Sequence, residues 1–158
     1  MKFTHLDKKG DANMVGISDK NITHRTAKAR ARIRFPRTVY QTILENGKHT
    51  PKGSIEGIAR IAGIMGAKKT ADLIPLCHPL PLEKCQLSFE YSDTEPVITI
   101  VASTEVTHKT GIEMEALTAV STAALSIYDM CKALSHELII EEIRLLEKTG
   151  GKRCVRFD

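Results

Sequence analysis

The sequence TGIEMEALTAVSTAALSIYDMCKA, residues 110–133, has no charged residue between Glu115 and Asp129. Glu113 and Glu115 stand at one end of this uncharged run, and Asp129 and Lys132 stand at the other. We predict one long, largely apolar helix here. Its terminal charges fit two interpretations: they border a buried helix as ordinary surface residues, or they are acid–base groups held on a rigid scaffold.

The start of this helix is predicted at Thr110. Thr110 and Glu113 have the spacing of a capping box, in which the threonine accepts from the backbone and the glutamate reaches back to it. Glu113 is therefore either a capping residue or a site residue, and the spacing alone leaves both open. A polar stripe at helical spacing then follows on another side of the helix: Glu115, Thr118, Thr122, Ser126 and Asp129.

The length of the helix restricts how its two ends can act. Glu115 and Asp129 are fourteen residues apart, which is about 21 Å along an α-helix. Both cannot contact one small substrate within a single subunit. If both ends are functional, the site combines two chains and the protein is an oligomer. In the alternative, Asp129 and Lys132 form only a surface ion pair one helical turn apart.

Outside this helix, the chain reads as a series of strands and helices in one domain. Alternation between small apolar and basic residues predicts a strand over 26–34. Helices are predicted at 37–44 and 55–72, strands at 85–91, 97–107 and 138–146, and an irregular segment at 73–82, where three prolines fall. The order predicts an α+β, ferredoxin-like split βαβ fold, an antiparallel sheet with helices on one face. Residues 1–22 are predicted as a flexible lead-in and 23–158 as a single domain.

Two features of the folded part concern packing and metal binding. Ser54 is predicted to cap the second helix, whose small residues Ala59, Gly63, Gly66 and Ala67 would admit a close backbone neighbour. The four cysteines contain no CxxC pair, so neither a disulfide framework nor a zinc site is indicated.

Composition indicates a protein of the cytoplasm. The 158 residues carry a formal net charge of +4, contain no run long enough to span a membrane, and begin without the apolar core of a signal peptide. The mild positive charge suits an anionic ligand.

The strand at 26–34 offers an alternative function. Its basic face, formed by Lys28, Arg30, Arg32 and Arg34, would suit a nucleotide- or nucleic-acid-binding module. No aromatic residues that would stack on bases are interleaved with these cations. A solvated strand face is the favoured interpretation.

Several segments together resemble one family. ARIAGIMGAKKT (59–70), LIPLCHPL (73–80), residues 110–133 and KTGGK (148–152) closely match the cyclic pyranopterin monophosphate synthases, the C proteins of molybdenum cofactor biosynthesis, and FTHLDKKGDANMVGIS (3–18) looks like that family's start. The resemblance implies a homohexamer, a trimer of dimers, with active sites at dimer interfaces. It also implies a lyase that converts a cyclised dihydro-GTP, supplied by an upstream radical enzyme, to cyclic pyranopterin monophosphate with release of diphosphate.

The same resemblance assigns roles to residues of this chain. It implies that Asp129 is the catalytic acid or base and that Lys132 and Lys52 are catalytic lysines. The implied substrate-binding positions are Leu76, Cys77, His78, Glu113, Met114, Glu115, Arg25 and Lys148. No metal site is implied, although Mg²⁺ can accompany the triphosphate.

The chain departs from the family pattern in two places. Gly16 stands where the family has an acidic residue, and the tail from Lys152 to Asp158 differs from the common ending. Any part of these segments in ordering the chain over the substrate is therefore in question.

Overall fold

The computed structural model describes residues 9–157. The strands are β1 (Thr23–Arg34), β2 (His49–Thr50), β3 (Gly53–Ser54), β4 (Lys84–Tyr91), β5 (Val97–His108), β6 (Ile139–Thr149) and β7 (Val155–Arg156), and the helices are α1 (Arg37–Glu45), α2 (Ile55–Lys68), α3 (Thr70–Leu73) and α4 (Glu113–Cys131). None of the helices in this part of the chain is long and apolar enough to cross a lipid bilayer.

One antiparallel sheet organises the domain. Its strand order is β4-β5-β1-β6-β7, and β2 and β3 form a separate two-stranded hairpin. Each long pairing in the sheet is antiparallel, with β1 between β5 and β6. The predicted α+β, ferredoxin-like arrangement is confirmed.

The alternation predicted for β1 is also confirmed. Ala27, Ala29, Ala31 and Ile33 are buried on the face that α4 covers, with exposed fractions of 0–1%. Small alanines let a helix lie close to the centre of the sheet, and α4 accordingly packs on β1, β5 and β6. Its buried residues Ala116, Ala119, Ala123 and Ala124 complete this layer.

Helix α2 lies beside α4 at close range, as the small-residue stripe predicts. A Cβ on Gly63 would stand 2.9 Å from the Ala119 carbonyl oxygen, and one on Gly66 would stand 2.7 Å from Cγ2 of Thr122. The glycines therefore permit a separation that any larger residue would prevent. Ser54 caps α2 as predicted, since its hydroxyl accepts from the Gly57 amide at 3.1 Å.

Strand β6 does not alternate regularly. Its register against β1 shifts twice. One shift leaves Leu146 as an extra residue between Leu145 and Glu147, which both pair with β1. Beyond it Lys148 pairs with Ala27, and because cross-strand partners share a face, Lys148 lies on the side of the sheet that α4 covers.

Several predicted boundaries were wrong. Helix α4 begins at Glu113 rather than Thr110, and the predicted helix 55–72 is two helices, α2 and α3. Strand β6 continues to Thr149, three residues beyond the predicted end, because its pairing with β1 continues to Thr26. Between residues 9 and 22 the structure has no helix and no strand of two or more residues. Residues 1–8 of the predicted lead-in lie outside the described residues.

Candidate active site

A cavity of about 800 Å³ opens at the N-terminal end of α4. The start of β1, the end of β6 and the segment between α3 and β4 form its walls. The structure brings together there all eight residues predicted to bind substrate: Arg25, Leu76, Cys77, His78, Glu113, Met114, Glu115 and Lys148.

Arg25 enters this cavity because it keeps the phase of the buried alanines of β1. Its side chain is half-buried, and two backbone carbonyls hold its guanidinium. Nε donates to the His108 oxygen at 2.9 Å and Nη2 donates to the Lys109 oxygen at 3.1 Å. His108 is the last residue of β5, and Lys109 follows it directly. Two neutral carbonyl oxygens, rather than a carboxylate, therefore hold the cation at the end of these strands.

Glu113 does not form a capping box, which is the first of the two roles that its spacing left open. The residue before α4 is Ile112, and no side chain caps the helix. The Glu113 carboxylate instead accepts from Lys148 Nζ at 2.5 Å, with both side chains half-buried. Strand β6 presents Lys148 directly beside the first turn of α4, and its ammonium binds the carboxylate in place of the backbone.

Glu115 is the buried carboxyl group of the cavity. Its exposed fraction is 4%, and no ion pair involving its side chain is formed among the described residues. Burial raises the pKa of Glu115 to about 7, a hydrogen bond from its own backbone amide opposes this rise, and the negative charge of Glu113 adds to it. A carboxyl group with a pKa near neutrality can accept or donate a proton under physiological conditions.

The segment 74–83 supplies the opposite wall. As predicted, its prolines exclude regular structure, and a turn bond from the Cys77 amide to the Ile74 oxygen at 3.1 Å shapes it. Burial raises the pKa of the Cys77 thiol, and the charges of Glu115 and Glu113 raise it further. Cys77 is therefore a neutral thiol near pH 7, a wall residue rather than a nucleophile. His78 lies half-buried beside it.

The remaining three predicted residues meet at the other end of α4. Lys52 Nζ donates to Asp129 Oδ2 at 2.6 Å, and Lys132 Nζ lies 2.7 Å from Oδ1. These contacts lower the pKa of Asp129 to about 2, chiefly through Lys132 and then through Lys52, and they raise the pKa of Lys132. The cluster is open to solvent, with 54% of the Asp129 side chain exposed.

Lys52 reaches Asp129 from a hairpin that the sequence analysis missed. Strands β2 and β3 pair across the turn that contains Lys52, and Gly53 adopts a φ of +118° that favours glycine. Ser54 belongs both to this hairpin and to the cap of α2. The close packing of α2 on α4 therefore brings the lysine to the end of α4.

Within one subunit the two clusters do not meet. Helix α4 is continuous from Glu113 to Cys131, so Glu115 and Asp129 remain about 21 Å apart along its axis. The structure thus contains two separate groups: a cationic cavity with a buried carboxyl group, and an exposed carboxylate between two lysines.

The cations on the basic face of β1 form ion pairs with carboxylates. Arg30 forms a two-point pair with Glu142, with contacts of 2.9 and 3.1 Å, and Arg34 pairs with Glu95 and Glu141. Arg32 pairs with the latter two carboxylates, and Lys28 lies 3.8 Å from Glu147. A strip of paired cations lacks the unneutralised charge with which nucleic-acid-binding surfaces contact phosphates.

Two cationic residues of the cavity were not among the predicted site residues. Lys152 and Arg153 follow the Gly150–Gly151 turn and line the cavity near Lys148. Their position directly after a glycine pair was the available signal. In the described part of the chain, no group of three or more His, Cys, Asp or Glu side chains is placed to hold a metal ion.

Comparison with known proteins identifies the family of the chain. A cyclic pyranopterin monophosphate synthase of Xanthomonas campestris pv. campestris strain 8004 is 47% identical over 154 residues, which cover 98% of this chain and 93% of the relative. The synthase of Xanthomonas axonopodis pv. citri strain 306 is 48% identical over the same shares. The MoaC family model matches residues 14–151, which include both clusters, and the chain belongs to the MoaC family.

Proposed function

We propose that this protein is a cyclic pyranopterin monophosphate synthase, a lyase of molybdenum cofactor biosynthesis. Its substrate would be a cyclised dihydro-GTP, and its products would be cyclic pyranopterin monophosphate and diphosphate. The observation that carries the proposal is the cavity at the start of α4, where Arg25, His78 and Lys148 surround the buried Glu115. Membership of the MoaC family and the names of the relatives support it.

The cations of the cavity suit a triphosphate. Closing a cyclic phosphate requires a hydroxyl oxygen to attack the α-phosphorus and the bond to diphosphate to break. Negative charge then accumulates on the departing diphosphate. Arg25, held by two carbonyls, and Lys148 would offset this charge without rearranging, which is the condition for effective electrostatic stabilisation.

The cluster at the end of α4 suits proton transfer. Rearranging a guanine-derived ring system requires bonds to open and close with protons added and removed. Asp129 is ionised over the physiological range because Lys132 and Lys52 keep its pKa at about 2. The two lysines within 2.7 Å make this carboxylate a weak base, so in the proposed mechanism the substrate draws a lysine away from Asp129 and thereby raises its basicity for proton transfer.

A complete site then requires two subunits. We propose a homohexamer, a trimer of dimers, in which the start of α4 in one chain meets the Asp129 cluster of its neighbour. The separation of about 21 Å within one chain supports this arrangement. So do exposed apolar side chains on the helices, Ile61 with 61%, Met65 with 52% and Leu125 with 59% of their surface accessible. Such surface is commonly covered by another protein chain.

The direct test supplies the cyclised dihydro-GTP and measures diphosphate and pterin product. We expect wild-type turnover and a loss of about 100-fold or more in Asp129→Asn, the usual size of a general acid–base contribution. Asp93→Asn, in the exposed loop between β4 and β5, is the matched control and should leave turnover unchanged. Normal turnover by Asp129→Asn, with unchanged oligomer size, would contradict the proposed role.

Mixing two inactive variants tests the shared site. Asp129→Asn and Lys148→Ala would each damage every site in their own homo-oligomer. After random exchange of subunits at equal amounts, about a quarter of the sites in twofold dimers combine two intact halves. Recovery of about a quarter of wild-type activity supports the two-chain site. No recovery, with exchange verified by mass spectrometry, would place each site within one chain.

The supply of the substrate and the location of the enzyme belong to the same proposal. The cyclised nucleotide would come from a radical enzyme upstream, since its formation joins the ribose to the base. A cytoplasmic location is supported by the four cysteines, which are all free thiols in this structure.

A further inference from the structure

Gly111 leaves space that the Glu113 carboxylate occupies. A Cβ placed on Gly111 would lie 2.7 Å from Glu113 Cδ and 2.9 Å from Oε1. Real side chains do not approach so closely, so the carboxylate would have to move. Outside residues 110–112, the three atoms nearest to that Cβ position all belong to the Glu113 side chain.

The backbone at this position does not itself require glycine. Gly111 is not among the described residues with positive φ, which are Gly10, Gly47, Lys48, Gly53 and Gly150. An alanine at 111 would therefore meet no conformational strain of the left-handed type. The obstacle is the far end of the flexible Glu113 side chain, which can turn away while the backbone keeps its place.

The displaced carboxylate is the one that holds Lys148. Glu113 accepts from Lys148 Nζ at 2.5 Å, and the Lys148 side chain forms no other hydrogen bond or ion pair within residues 9–157. Lys148 lies on the wall of the cavity beside Arg25. Moving the Glu113 carboxylate would therefore remove the side-chain contact that, in the described residues, fixes the direction of the Lys148 ammonium.

We infer that Gly111 is a positioning residue: its missing side chain admits the Glu113 carboxylate, which in turn fixes Lys148 on the cavity wall. Gly111 itself need not touch the substrate. The kinetic consequence of this inference rests on the proposed function, whereas its structural consequence at Lys148 does not.

The structural consequence is tested by acetylating the lysines and counting the modification at Lys148 by peptide mass spectrometry. An ammonium held by a carboxylate reacts less readily as an amine than a free one. We expect faster labelling of Lys148 in Gly111→Ala and in Glu113→Ala, and no further increase in the double variant. The matched glycine control is Gly57→Ala, in α2 and outside the cavity, which should label Lys148 at the wild-type rate.

The kinetic consequence uses the same double-mutant cycle. Gly111→Ala should lower kcat/KM by about tenfold or more, the usual effect of one charge-assisted hydrogen bond. In the Glu113→Ala background the same substitution should change nothing, because the group it displaces is already absent. Equal losses in both backgrounds, or wild-type labelling of Lys148 in Gly111→Ala, would overturn the inference.

The same set of variants separates an effect on folding from an effect on activity. If Gly111→Ala fails to fold but the double variant folds, the obstacle is Glu113, and the inference stands. If both fail to fold, glycine is required by the backbone, and the inference is wrong. If the wild-type protein shows no synthase activity, the proposed function fails while the labelling of Lys148 still decides the role of Gly111.

Discussion

Replacing Glu115 by Gln should make the stability of the protein less sensitive to pH. Burial raises the pKa of Glu115 from 4.5 to about 7 in the folded protein, whereas the unfolded chain has the ordinary value. Below about pH 4.5 both states carry the proton. Between about pH 4.5 and 7 the folded state keeps the proton and the unfolded state releases it, so the free energy of unfolding falls as pH rises. Above about pH 7 the loss is complete.

The shift corresponds to a total loss of about 3 kcal/mol, at 1.36 kcal/mol for each pKa unit. Between pH 5 and pH 8 the wild-type protein should lose about 2.5 kcal/mol through this group. Glutamine has nearly the same shape and does not ionise. The Glu115→Gln variant should therefore gain about 2.5 kcal/mol relative to wild type when both are moved from pH 5 to pH 8.

The assay is urea unfolding followed by far-UV circular dichroism, at one protein concentration because association adds to apparent stability. Glu142→Gln is the control. The hydrogen bond from Arg30 lowers the pKa of Glu142, so the stabilisation that Glu142 contributes is present at higher pH and is lost on acidification. The same wild-type-to-variant difference at pH 5 and pH 8 for Glu115→Gln would refute the assignment of a raised pKa.

Three other substitutions test the packing and the two clusters. Gly63→Ala should destabilise the fold by about 1–3 kcal/mol in urea unfolding, despite the higher helix propensity of alanine, because the alanine methyl group would meet a backbone carbonyl. Gly57→Ala should change stability much less. A loss in Gly57→Ala as large as that in Gly63→Ala would contradict the packing argument. Arg25→Lys should weaken diphosphate binding, measured by calorimetry, by about tenfold, because lysine lacks the planar guanidinium whose Nε and Nη2 bond the two carbonyls and leave further N–H groups for the ligand. Unchanged affinity would show that charge alone suffices. Lys52→Ala should keep the melting temperature and oligomer size but lose turnover, and normal turnover would remove this lysine from the site.

The general architecture was predictable from short-range patterns. The alternation in β1 and the uncharged run in α4 both indicate which residues are buried. The spacing of buried residues in turn distinguishes a strand from a helix. The same reasoning placed Glu115 and Asp129 at opposite ends of one helix. Helix boundaries were less predictable, since the role of Glu113 depends on a lysine that is 35 positions away in sequence.

Membership of the cavity depended on the family resemblance rather than on residue patterns. Arg25 was assigned in this way. Its position on β1 also indicated a site residue, because a cation on the same face as the buried alanines must find polar partners. Lys52 looked like an ordinary loop lysine. Its contact with Asp129 arises from a two-residue hairpin and from helix packing, and neither leaves a periodic pattern in the sequence.

The extra residue in β6 determines the sign of the charge on the cavity wall. With strict alternation from Leu145, Glu147 would face the helices and Lys148 would face away. Leu146 reverses this order, so the wall carries an ammonium instead of a carboxylate. Deleting Leu146 would remove the bulge but keep the ammonium on the wall, because Glu147 would then follow Leu145 directly and take the outward position. Pairing Leu146 regularly with β1 would instead turn Glu147 onto the wall, so the bulge, rather than the composition of the strand, sets the sign of the charge there.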